Sequence, residues 1–97
     1  MTLAVIFHIP GALRGFTNGA SQVAIEGSPV TLADALSALW ILHPGLRDRV
    51  TTEQGQIRQH INVFVGKEDV RYTGGLRSRL PSTVEIFIVP AVSGGEI

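Results

Sequence analysis

Cysteine is absent from the chain, which excludes a disulfide framework, a thiolate metal site and a cysteine nucleophile at once. The absence fits a reducing cytosol. A surplus of charge is missing too: eight basic residues balance eight acidic ones, for a formal net charge of zero. That argues against nucleic acid as the main partner, because phosphate binding needs excess positive charge on one face. Long hydrophobic runs are lacking. The stretch from Leu3 to Phe7 is too short to span a membrane and has no basic flank before it, so no transmembrane helix, signal peptide or transit peptide is expected. The histidines, His8, His43 and His60, never fall at metal-ligand spacing, and no HExxH occurs. No metal site is expected, nor any catalytic residue, since no Ser/His/Asp or paired-carboxylate arrangement can be argued from spacing. A soluble cytoplasmic protein is the default.

What remains is 97 residues, 44% of them hydrophobic. That is enough for one domain, too little for two, and sufficient for a modest core without covalent staples. Leu3, Val5, Phe7 and Ile9 alternate with Ala4, Ile6 and His8 and predict a first strand, ended by Pro10-Gly11. Gly15 to Gly19 reads as a turn, and Gln22 to Glu26 as a second strand in hairpin with the first. Thr31 caps a helix, with Asp34 as a capping-box acid. Leu32, Ala35, Leu36, Leu39 and Leu42 form its apolar stripe, bordered by Trp40, which packs beside the core. His43-Pro44-Gly45 stops the helix, and Leu46 to Val50 adds a further turn. Thr51 to His60 is a polar loop.

Ile61 to Val65 predicts a third strand and Gly66 to Asp69 a turn. Val70 to Tyr72 reads as a very short edge strand, closed by a Gly74-Gly75 turn that needs unusual backbone angles. Leu76 to Leu80 is a connector with one helical turn, and Val84 to Val89 is the last strand. The fold class is α+β, a mixed sheet of four to five strands with one main helix on one face. This is the ubiquitin-like β-grasp arrangement, although other α+β folds share the element order. Residues 1–90 form the domain, and 91–97 a flexible tail carrying Gly-Gly.

One helix covers only one face of a sheet. If Val5, Phe7, Ile61 and Val63 point at the helix, then Ile6, Phe64, Phe87 and Val89 lie on the other face with His8 and Glu85. Contiguous exposed apolar surface of this kind marks a protein partner. Gly66-Lys67 is no phosphate loop, because Glu68 follows where Ser or Thr is needed. Lys67, Arg71, Arg77 and Arg79 cluster in sequence and could dock an acidic patch on an activating or acceptor enzyme, but an ordinary solvated surface, offset by Glu68 and Asp69, is the preferred reading. The tail, Val92-Ser93-Gly94-Gly95 ahead of Glu96-Ile97, tapers to glycines that let the backbone approach a catalytic group without a side chain in the way.

The segment from His60 to Leu76, followed by Ile88-Val89-Pro90-Ala91-Val92-Ser93-Gly94-Gly95, resembles the MoaD/ThiS sulfur-carrier family, and within it the branch that works with a cysteine synthase. The resemblance extends to the Ile9-Pro10 to Leu13-Arg14 stretch. It implies a carrier, not an enzyme, that binds no cofactor of its own. A ubiquitin-activating-type adenylyltransferase uses ATP to adenylate the glycine carboxylate, here that of Gly95. A sulfur donor then converts the acyl-adenylate to a thiocarboxylate, which delivers sulfide to an acceptor enzyme of cysteine synthase, molybdopterin synthase or thiamine thiazole type. Family carriers end in glycine, whereas here Glu96-Ile97 follow Gly95. The resemblance therefore implies trimming, for which a zinc metalloprotease of deubiquitinase type is the candidate. Two other readings stay open: a non-catalytic ubiquitin-like interaction module, and a ubiquitin-like modifier that forms isopeptide bonds.

Overall fold

The computed structural model describes residues 4–90. Leu3 and the tail residues Val92, Ser93, Gly94, Gly95, Glu96 and Ile97, all named above, lie outside them. The described elements are β1 (Ala4–His8), β2 (Gln22–Glu26), α1 (Leu32–Leu42), α2 (Arg47–Val50), β3 (Ile61–Val65), β4 (Glu68–Asp69) and β5 (Val84–Pro90). The five strands make one mixed sheet in the order β2-β1-β5-β3-β4. β1 and β5 run parallel, and the other neighbours are antiparallel.

Alternation decides which way each strand faces. Val5 and Phe7, Val23 and Ile25, Ile61 and Val63, and Ile86 and Ile88 are all buried. They meet Leu32, Ala35, Leu36 and Leu39 on α1. The helix starts where its local chemistry dictates. Thr31 Oγ1 accepts from the Asp34 N–H at 3.3 Å and Asp34 Oδ2 accepts from the Thr31 N–H at 3.2 Å, which satisfies two otherwise orphaned donors. Leu46 and Val50 close the core beyond the helix, and Trp40 packs against its margin.

Two expectations need correction. The edge strand is Glu68–Asp69, paired with Val65 and Phe64, while Val70–Tyr72 is a 3₁₀ turn. Gly66 adopts φ +62°, so Gly66-Lys67 closes a two-residue hairpin and the residues right after it must pair. Asp69 then accepts from the Arg71 N–H at 2.9 Å and caps the following turn. Leu42 does not finish the buried stripe: as the last residue of α1 it is 54% exposed. The Gly74-Gly75 turn is as expected, with φ of +116° and +61°.

Candidate functional site

The face of the sheet away from α1 collects side chains from every strand. Strand register aligns Gln22 (β2), His8 (β1), Phe87 (β5), Phe64 (β3) and Asp69 (β4) in one row across the sheet. Ile6 lies between Ala24 and Glu85 in the next row, and Val89 lies opposite Asn62. Ile6, Phe64 and Phe87 are half-buried, and Val89 is 41% exposed. The strands thus bring together the four apolar residues assigned to this face from alternation.

His8 is the residue that sequence reasoning undervalued. Its ring stacks on Phe87 with centroids 4.2 Å apart and planes 9° from parallel. Its Nε2 lies 2.5 Å from Glu85 Oε1; with the proton on Nε2, His8 donates to the carboxylate. Phe87 is therefore stacked on the His8 imidazole and stands opposite Phe64 in the strand register. The His8–Glu85 contact spans 77 positions in sequence, and only the parallel pairing of β1 with β5 creates it. Nothing local in the sequence signals that pairing.

Farther along the same face, the Arg71 guanidinium donates to Asn62 Oδ1 at 2.5 Å and to the Gln59 carbonyl at 3.4 Å. Arg71 is thereby tied to the sheet, though exposed, as Lys67, Arg77 and Arg79 are.

β5 is the middle strand, bonded to β1 on one side and β3 on the other. Its last residue, Pro90, pairs with Ile61. Beside it opens a hollow of about 400 Å³, lined by His8, Pro10, Arg14, Phe87, Val89 and Pro90 among others. The 3₁₀ turn Gly11–Phe16 puts Arg14 there, and Arg14 Nε donates to the Ile9 carbonyl at 3.0 Å. Pro90, the last described residue, is thus a fixed point beside an aromatic face and one guanidinium. Among the described residues no helix is long and apolar enough to cross a membrane.

Comparison with known proteins converges on one group. A family model described as the ThiS family matches residues 7–95. The sulfur carrier protein CysO of Mycobacterium tuberculosis is 33% identical over 93 residues, covering 94% of this chain and 98% of the relative. A putative sulfur carrier protein of Archaeoglobus fulgidus is 35% identical over 93 residues, covering 96% and 100%. Among solved structures, the BexX/CysO complex of Amycolatopsis orientalis contains a chain that superposes with a TM-score of 0.85 at 35% identity, covering 95% and 100%. The small archaeal modifier protein 1 of Haloferax volcanii gives 0.78 at 29% identity, covering 95% and 99%.

Proposed function

This chain belongs to the ThiS family, and from that premise we propose that it is a sulfur carrier whose working group is the Gly95 carboxylate. The observation that carries the reading is the extent of the family match. It runs through the β-grasp domain and Gly94-Gly95 and stops at Gly95, short of Glu96-Ile97. The relatives named as sulfur carriers support it.

In this reading the tail is the reagent and the sheet is the handle. A carboxylate is a poor electrophile. Attack of a Gly95 carboxylate oxygen on the α-phosphorus of ATP, with loss of pyrophosphate, makes an acyl-adenylate. A sulfur donor at the oxidation level of sulfide then displaces AMP and leaves a thiocarboxylate, nucleophilic yet never free in solution. The adenylation is the work of a ubiquitin-activating-type enzyme, so this protein is a co-substrate and no catalyst. Ile6, Phe64, Phe87 and Val89 supply the docking face, with His8 holding Phe87 in place. A CysO chain has been solved in complex with BexX, which supports a partner-bound working state for this chain as well. The sulfur acceptor is an enzyme of cysteine synthase type, in keeping with the CysO relatives, and the setting is the cytoplasm. For Gly95 to present a free carboxylate, a protease cuts after it and separates it from Glu96-Ile97 before activation.

A modifier reading has its own support in the likeness to small archaeal modifier protein 1, 35% identical over 74 residues. Intact mass spectrometry of the protein from its own cell separates the readings. A species ending at Gly95 with an oxygen-to-sulfur mass shift is the expected result, and Gly95→Ala should abolish it. Only full-length chain under sulfur demand would overturn the carrier, and isopeptide adducts without thiocarboxylate would favour the modifier.

A further inference from the structure

β2 is an edge strand: among the described residues no strand lies beyond it. Natural edges are blunted by lysine, proline, bulges or brevity. β2 has none of these. It is five residues long, Gln-Val-Ala-Ile-Glu, in continuous register with β1. Next to it, α1 turns apolar side chains outward: Ile41 is 81% exposed and Leu42 54%. Together with Ala24, Ile25 and Ala38 they line an open groove between strand and helix.

The direction of the free backbone groups follows from one bond. The Ile9 N–H donates to the Ser21 carbonyl at 2.8 Å, which makes Ile9 and Ser21 a hydrogen-bonded pair in line with the β1–β2 register. Antiparallel ladders alternate. Val23 and Ile25 therefore turn their N–H and C=O toward β1, and Gln22, Ala24 and Glu26 turn theirs toward the open edge.

We infer that this edge pairs with β2 of a second copy of the chain, antiparallel, about a two-fold axis at Ala24. The strand is self-complementary in that register. Ala24 meets its own equivalent, the smallest side chain available, and each Gln22 meets Glu26 of the other copy. The Ala24–Ala24 pair and the two Gln22–Glu26 pairs each exchange both of their backbone bonds, so all outward-facing donors and acceptors of the strand are satisfied. The Gln22 carboxamide donates to the opposing Glu26 carboxylate, and no like charges are opposed. The two helices then lie on the same side of one continuous sheet, and the grooves at Ile41 and Leu42 face each other across the axis. An isologous contact of this kind closes on itself as a dimer.

Sedimentation equilibrium of the full chain from micromolar to millimolar concentration tests the idea, together with amide exchange at Gln22, Ala24 and Glu26. Reversible dimers with protection at those amides are expected. Ala24→Pro removes an outward N–H and leaves the β1 ladder intact, so it should give a folded monomer. Ile41→Glu, at an exposed site, should weaken the dimer without unfolding the chain. Gln22→Lys should tighten it and Gln22→Glu loosen it, each by about 2- to 30-fold over two symmetric pairs. A chain that stays monomeric at millimolar concentration overturns the proposal, as does a dimer that survives Ala24→Pro. So does an edge whose amides respond only to an added extended peptide, which would assign it to another protein's strand.

Discussion

Truncating Phe87 to alanine should separate the handle of this protein from its framework. Phe87 is half-buried at the centre of the outer face, stacked on His8 and directly opposite Phe64. Losing the aromatic stack removes about 0.5–1.5 kcal/mol, and losing the cross-strand pair about 0.2–1 kcal/mol more. The sum, beyond the apolar area the ring buries, is about 0.7–2.5 kcal/mol, against a total stability of about 5–15 kcal/mol for a domain of ordinary stability. The chain stays folded. Phe7, on the neighbouring strand, is fully buried on the opposite face, and its truncation should cost about 3–5 kcal/mol. If the outer face docks an activating enzyme, Phe87 sits where binding energy concentrates, and its loss should weaken docking by at least about 2 kcal/mol, or roughly 30-fold. Urea unfolding reads the first quantity. The dependence of ATP–pyrophosphate exchange on carrier concentration reads the second: KM should rise about 30-fold while kcat holds, because the proposed reacting group is Gly95 and not Phe87. A stability loss as large as that of Phe7→Ala, or a KM equal to wild type, would refute the reasoning.

The remaining expectations concern the framework. Thr31→Ala dismantles the reciprocal bonds with Asp34 and should lower stability by about 1 kcal/mol, read as a Tm drop of about 4–8 °C, whereas Thr31→Ser should restore it. Gly74→Ala places a side chain at φ +116° with its Cβ 3.5 Å from the Ser78 nitrogen; a loss of about 1–2 kcal/mol in urea unfolding is expected. Gly11→Ala, with open space around the new Cβ, should be neutral or stabilising by up to about 1 kcal/mol.

The contrast between what could and could not be read from the residues follows contact range. The bounds of β2 and β3, the Thr31–Asp34 cap and the stop at His43-Pro44 all rest on neighbours in sequence, and the structure has them where the pattern places them. The placement of Ile6, Phe64, Phe87 and Val89 on one face follows from alternation once each strand is recognised. β4 was misplaced because two residues carry no periodicity of their own; pairing with β3 across the Gly66-Lys67 turn decides it. Leu42 fits the helical stripe, yet the stripe does not reveal that the last residue of α1 is half-exposed. The His8–Phe87 stack is the least legible feature, since it depends on which distant strand lies beside β1.

The central position of β5 has a consequence for length. A tail that left from an edge strand would have a swinging root. This one leaves from a strand bonded on both sides, ending at Pro90 opposite Ile61. Five residues separate that anchor from the carbonyl end of Gly95, and an extended chain spans at most about 3.3–3.6 Å per residue. The reach is therefore capped at roughly 17–18 Å. On the proposed function the domain and its tail together form a gauge: a partner that grips the outer face can act on Gly95 only if its reactive centre lies within that radius of Pro90. One inserted or deleted residue between Pro90 and Gly94 would shift the gauge mark without altering any surface the partner touches.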